Sequence, residues 1–218
     1  MRIVLALSGG MDSSTLLAHL IAHHHDVFPV TFKYGSKHNP YENEAAQKVA
    51  SFYGYGPLDV IDLTAVVNMF QSNLLEHGGE IPEGHYAEDS MKQTVVPARN
   101  TLFIAALAGY AESWDMDAVA VAVHSGDHHI YPDCRTEYIK AIDTTIYLAS
   151  DKKVEVIAPF VHMDKTSIIT LGSVLMVPYH LTRTCYKDQP IACGKCGSCV
   201  ERLEAFEANS IVDPVEYE

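Results

Sequence analysis

The chain contains no apolar run long enough to span a bilayer. Its first hydrophobic segment ends after Ile3–Leu7, with no secretion-signal core or cleavage site behind it. A membrane protein and an exported one are both excluded on this reading, and the expected location is the cytoplasm. Positive charge is scarce: 15 Lys and Arg stand against 28 Asp and Glu, a net charge of −13. Such a field repels phosphate backbones, and no convincing basic patch offsets it, so nucleic acid is not an expected partner. Internal repeats and low-complexity tracts are missing too, which leaves an ordinary folded domain.

What is present fits that class. The chain has 218 residues, 48% of them hydrophobic and 20% charged, enough for one sizeable core. Short apolar runs at Ile3–Leu7, Asp26–Phe32, Leu58–Leu63, Ala118–Val123 and Val154–Ile157 read as strands, with Pro29 weakening the second. Helical periodicity marks Ser14–His24, Tyr41–Tyr53, Asn100–Ser113 with Asn100 as N-cap, Asp133–Leu148, Asp164–Leu175 and Ser198–Asn209. Residues 64–76 are a further helical candidate, and His77–Gln93 reads as a long polar loop. The order implies an α/β fold with a doubly wound parallel sheet and right-handed crossovers. Residues 1–178 form the expected nucleotide-binding domain, and residues 179–218 a small cysteine-rich segment with a helix. Ligands of such sheets sit beyond the carboxyl ends of the strands.

At the end of the first strand stands Ser8-Gly9-Gly10-Met11-Asp12-Ser13. Glycines admit a ligand to the main-chain N–H groups, and a helix N-terminus adds unpaired donors and a positive dipole end. The string is neither GxxxxGK[ST] nor GxGxxG; its two hydroxyls and one carboxylate suit pyrophosphate with a magnesium ion. Spacing alone leaves two readings open, a phosphate cradle and a tight turn capped by Asp12 or Ser13.

The five cysteines are unevenly placed. Cys134 stands alone, whereas Cys185, Cys193, Cys196 and Cys199 follow a C-x7-C-x2-C-x2-C spacing. Four thiolates complete a tetrahedral Zn²⁺ shell with no open position, which makes such a site structural. An iron–sulfur cluster competes for the same spacing, and four free buried thiols are the plain alternative. Lys195 and Arg202 are candidates to offset the cluster's charge. Of twelve histidines, His23–His25 suit a helix's C-terminal end, and His124, His128 and His129 fall in a loop near the expected site.

The string SGGMDS resembles the signature of the PP-loop ATP pyrophosphatases, which cut ATP between the α and β phosphates and adenylate a substrate oxygen. Together with the cysteine tail, further strings resemble the 7-cyano-7-deazaguanine synthase (QueC) family: Tyr34-Gly35, Val96-Pro97-Ala98-Arg99-Asn100, Asp127 followed by Tyr131-Pro132-Asp133-Cys134-Arg135, Lys165-Thr166, and Cys185-Tyr186. The resemblance runs from about Arg2 to about Arg202. Two places depart from it: His128-His129-Ile130 stand where an aromatic, Ser and Gly are usual, and Arg183 stands where small hydroxyl residues are usual.

The resemblance implies that ATP, ammonia and 7-carboxy-7-deazaguanine give the nitrile through an adenylated acid and an adenylated amide. It assigns Leu7, Ser8, Gly9, Gly10, Asp12, Ser13, Tyr34, Gly35 and Lys165 to ATP. Arg99, Asp127, Tyr131, Asp133 and Arg135 go to the substrate, with Lys165, Asp12, Arg99 and Asp127 in catalysis. Mg²⁺ accompanies the ATP, Zn²⁺ is held by Cys185, Cys193, Cys196 and Cys199, and the expected assembly is a homodimer. A lysine in a helix's first turn opposes the dipole, which favours a role for Lys165 in binding phosphate. Asp133 has a competing role as a helix N-cap, and Tyr131 as a half-buried packing residue. Three alternatives remain: a family member that stops at the amide, a PP-loop enzyme acting on tRNA, and a nucleotide sensor without turnover. The tRNA alternative lacks a cysteine pair in the nucleotide domain and an appended RNA-binding domain.

Overall fold

The run Ile3–Leu7 is apolar at successive positions because both of its faces are covered. In a computed structural model, which describes residues 1–85, 89–128 and 130–218 and only the backbone of Asp127 and His128, this run lies in β1 (Arg2–Ala6). Ile3, Leu5 and Leu7 pack with Leu16, Leu17, Ala46, Val49 and Ile168 on one side of the sheet. Val4 packs with Ile104, Leu107, Ile142 and Ile146 on the other. Each such buried aliphatic side chain contributes about 1.5–3 kcal/mol relative to exposure.

The strands β2 (Asp26–Lys33), β3 (Asp59–Asp62), β4 (Ala118–Ala120) and β5 (Glu155–Ile157) join β1 in one parallel sheet of order β3-β2-β1-β4-β5. Pro29 sits inside β2, opposite Leu5 of β1. The Leu7 N–H donates to the Val30 carbonyl, so Val30 faces β1. Pro29 therefore faces the opposite way, where the β3 ladder has not yet begun; its first pair is Val30 with Asp59. The missing N–H costs no ladder bond, and the expected strand stands.

The helices are α1 (Met11–Ala22), α2 (Asn39–Phe52), a single turn α3 (Thr64–Val67), α4 (Arg99–Ser113), α5 (Thr136–Ala149), α6 (Lys165–Val174) and α7 (Gly197–Ala208). Four expectations shift. The first helix starts three residues earlier than its periodicity suggests, inside the SGGMDS string, with Gly10 at its N-cap and no capping side chain. The candidate helix over 64–76 stops after α3, because Ser36 pairs with Leu75, the Lys37 N–H takes the Leu74 carbonyl, and both leucines are buried. The run Ala118–Val123 is strand only to Ala120, and its last residues line an open cleft.

The fourth shift concerns two caps. Asn100 does not cap α4; Ala98 does, at φ 53. Asp133 does not cap α5, whose N-cap is Arg135. Instead the Asn100 N–H donates to the Asp133 carboxylate at 3.0 Å, and Asn100 Nδ2 donates to the Asp133 carbonyl at 3.1 Å and to Cys134 Sγ at 3.2 Å. The two segments share one cap, supplied across the fold. Asp164 does cap α6, as its position suggests, accepting from the Ser167 N–H at 2.7 Å.

Candidate active site

In the order β3-β2-β1-β4-β5 the chain reverses direction across the sheet between β1 and β4, which opens a crevice at their carboxyl ends. A cleft lies there. Its lining includes Leu7, Ser8, Gly10, Asp12, Ser13, Tyr34, Arg99, Tyr131 and Lys165. Residues as far apart in sequence as Leu7 and Lys165 are thus brought to one surface by the strand order.

The loop after β1 is built for an anion. The Gly10 N–H donates to Ser8 Oγ at 3.3 Å, Ser8 and Ser13 share a hydroxyl hydrogen bond at 3.0 Å, and no side chain caps α1. The first-turn N–H groups of α1 therefore keep their positive end for a ligand. Gly9 has a different reason to be glycine. It holds φ +76, and a Cβ there would stand 2.3 Å from the Ala46 nitrogen, so α2 packs directly on it. Gly9 does not line the cleft; Gly10 does, and a Cβ on it would meet only ordinary contacts.

Lys165 is buried in this site, with Nζ 3.1 Å from Asp12 and 2.8 Å from Glu201. A lysine that opens a helix and is nevertheless buried needs compensating anions, and these two supply them. Asp12 uses Oδ2 for that contact; Oδ1 is buried without a hydrogen-bond partner among the described residues. A buried carboxylate oxygen left in this way is suited to a cation, and the residues fit a magnesium ion held by Asp12 beside the phosphates. His124 lies behind, buried, with Nε2 3.8 Å from Asp12.

The opposite wall is aromatic. The Arg99 guanidinium stands 6.0 Å from the ring centres of both Tyr34 and Tyr131. Phe103 stacks on Phe32 at 3.9 Å and meets Tyr34 edge-on, while Tyr131 shares a hydroxyl bond with Thr94. Burial pushes the Tyr34 phenol well above its ordinary range, so it stays protonated. A cation between aromatic faces suits a planar, anionic ligand.

Some expected residues stand elsewhere. Gly35 sits under Asn68, its φ of +76 and a would-be Cβ 2.9 Å from Asn68 Oδ1 requiring glycine. Asp133 holds the α4 terminus, and Arg135 is exposed at the start of α5; neither lines the cleft. The side chains of Asp127 and His128, and all of His129, lie outside the described residues. Three titratable lining residues were missed: Glu201, His38 and Glu42. Glu201 reads as a solvated charge on the last helix; its one signal is its place two residues after Cys199.

Behind the cleft, Cys185, Cys193, Cys196 and Cys199 are all buried, and their sulfurs lie within 4.8 Å of one another. One tetrahedral ion with bonds of about 2.3 Å spaces its sulfurs at about 3.8 Å, so the four fit a single metal ion. A four-iron cluster interposes more atoms and needs a wider cage. Backbone N–H groups of Lys187, Cys193, Lys195 and Cys196 point at sulfurs over 3.3–3.5 Å, the usual way to temper thiolate charge. Hydrogen bonds from Cys196 and Cys199 pull the Cys185 thiol well below its ordinary range. Arg202 does not serve the sulfurs, contrary to expectation. All five of its N–H donors are taken by Asp213, Thr182, Thr184 and the Tyr179 carbonyl.

Comparison with known proteins agrees with this geometry. The profile of a family described as "Queuosine biosynthesis protein QueC" matches residues 2–210. The chain is 42% identical to a 7-cyano-7-deazaguanine synthase of Pseudoalteromonas atlantica, over all of this chain and 99% of that one. It is 43% identical to a 7-cyano-7-deazaguanine synthase of Caldicellulosiruptor bescii, over all of this chain and 98% of that one. Among solved structures, a U34-tRNA thiolase from Methanococcus maripaludis with its [4Fe-4S] cluster shares the fold, at TM-score 0.54 and 15% identity, over 96% of this chain and 65% of that one.

Proposed function

The chain belongs to the QueC family of queuosine biosynthesis proteins, and on that premise we propose that it makes 7-cyano-7-deazaguanine from 7-carboxy-7-deazaguanine, ammonia and ATP. It acts as an ATP-dependent carbon–nitrogen ligase on a free small molecule. The observation that carries the reading is that one cleft joins the anion-binding loop and Lys165 to the Arg99–Tyr34–Tyr131 wall.

A carboxylate is a poor electrophile with a poor leaving group, and adenylation corrects both. The first-turn N–H groups of α1, with Ser8, Gly10 and Ser13, hold the departing pyrophosphate. Lys165, paired with Asp12 and Glu201, balances charge on the α-phosphate as the substrate oxygen attacks. Arg99 grips the substrate carboxylate, and Tyr131 with Tyr34 orients the flat base. Asp127 completes the substrate contacts, and Asp133 acts through the α4 terminus that it holds. Magnesium, held by Asp12, would supply further charge neutralisation to the phosphates. Ammonia then displaces AMP to give the amide; a second ATP adenylates the amide oxygen, and loss of AMP leaves the nitrile.

The four cysteines hold zinc as a structural ion, in a segment spanning residues 179–218 appended to the nucleotide domain of residues 1–178. The same reading makes the protein a cytoplasmic homodimer. No helix among the described residues is long and apolar enough to cross a membrane. Incubation with 7-carboxy-7-deazaguanine, ammonium, ATP and magnesium, followed by mass spectrometry, tests the proposal. Nitrile and AMP are the expected products. Amide without nitrile would place the chain among enzymes that stop halfway, and absence of AMP would sink the substrate assignment.

A further inference from the structure

The cleft has a wall that the steps above leave unused. His38 occupies the N-cap position of α2, and Glu42 follows one turn later; both line the cleft. The segment before them is pinned from two directions. The Tyr34 N–H donates to Asn39 Oδ1 at 2.7 Å, and Asn39 Nδ2 donates to the Phe32 carbonyl at 2.9 Å, tying α2 to the end of β2. The Lys37 N–H donates to the Leu74 carbonyl, and Lys37 Nζ donates to the carbonyls of Asn73 and Gly78. The His38 backbone is therefore fixed.

Its side chain is only 4% exposed. Nε2 lies 3.3 Å from the Glu42 carboxylate, the Tyr186 ring is 5.3 Å away, and Nδ1 is buried with no hydrogen-bond partner among the described residues. With Nε2–H directed at Glu42, the lone pair of the neutral imidazole is on Nδ1. A buried acceptor held without a donor is uncommon and needs a reason. The cleft's charges give one. Of its three carboxylates, Asp12 and Glu201 both face Lys165, with His124 behind Asp12 at 3.8 Å, and Glu42 faces His38, the one histidine lining the cleft among the described residues.

We propose that the His38–Glu42 pair is the ammonia subsite: it holds the incoming nitrogen and accepts the proton that the nitrogen sheds. This rests on the function proposed above. As the nitrogen–carbon bond forms at the acyl adenylate, the carbon–oxygen bond to AMP breaks and its electron pair leaves with the phosphate oxygen. The nitrogen's surplus proton passes to His38, and Glu42 stabilises the imidazolium. In the second round the amide gives up one N–H proton as its oxygen is adenylated, and the resulting imidate loses its last N–H proton to the same base as AMP departs with the carbon–oxygen electron pair, leaving the carbon–nitrogen triple bond; His38 releases each proton to solvent before the next transfer.

The test separates adenylation from amination in the full-length protein. Exchange of labelled pyrophosphate into ATP, driven by 7-carboxy-7-deazaguanine, needs no ammonia. Amide formation does. His38→Gln is expected to lower amide formation by about 10²-fold or more and to raise the KM for ammonium, with exchange retained. Hydroxylamine, a nitrogen nucleophile already unprotonated near neutral pH, is expected to restore product formation. Glu42→Gln, a near-isosteric change with less risk to folding, should show the same split at smaller size. Equal loss of exchange and amination in Glu42→Gln, or unchanged amination in His38→Gln, overturns the proposal. A wild-type protein without substrate-driven exchange overturns the functional reading itself, and this subsite with it.

Discussion

The loop at residues 8–13 and the tail at residues 179–217 meet at the same lysine, yet they treat polar groups in opposite ways. In the loop, groups are left over: α1 starts without a capping side chain, and Asp12 Oδ1 is buried without a partner among the described residues. In the tail, polar groups are used up. Arg202 spends five donors, Asp213 takes two of those bonds and a third from the Tyr217 hydroxyl, and the sulfurs collect backbone N–H groups. The difference marks which region is built to receive a ligand and which to hold a shape. Helix α7 carries the second kind of order to the first, since Cys199, Glu201 and Arg202 lie within one turn.

Breaking the tail should have the largest effect on stability. Arg202→Met leaves the buried Asp213 carboxylate without its counter-charge, so a loss of about 3–5 kcal/mol is expected, seen in thermal unfolding as a midpoint about 6–20 °C lower for a chain of this size. Breaking the loop should instead cost function. Asp12→Asn is expected to lower substrate-driven pyrophosphate exchange by about 10²–10³-fold, with the unfolding midpoint moving much less than in Arg202→Met. If the two variants lost stability equally, the contrast between the regions would be wrong.

A smaller effect sharpens the comparison by pH. Burial pushes the Asp213 carboxyl up, but Arg202 outweighs it and holds the group below its ordinary value. A depressed folded-state pKa adds stability that is present above the unfolded value of about 3.9 and is lost as pH falls through the folded one. Asp213→Asn should therefore be less stable than wild type near neutral pH, and urea titrations should show that gap closing below about pH 4.

Much of this was legible in sequence where the determinant is local. The β1 run, the SGGMDS turn, the Asp164 cap and the cysteine spacing each depend on neighbours in the chain. What was not legible depends on partners far away. Asn100 has the right side chain for a cap, but Asp133 arrives from another element and takes the role. Glu201 and His38 sit in polar strings that read as solvent-facing, because burial by a distant segment leaves no trace in periodicity. Gly9 was readable as a required glycine, and the close packing of α2 on it is a reason that only the fold reveals.

The joint between Asn100 and Asp133 has a consequence for how this protein can be recombined. Residues 96–100 present Arg99, residues 131–135 present Tyr131, and three hydrogen bonds make the two stretches one piece. A chimera that takes one stretch from this chain and the other from a diverged relative would inherit mismatched halves of a single part. Crossovers are best placed before residue 96 or after residue 135, so that both halves travel together.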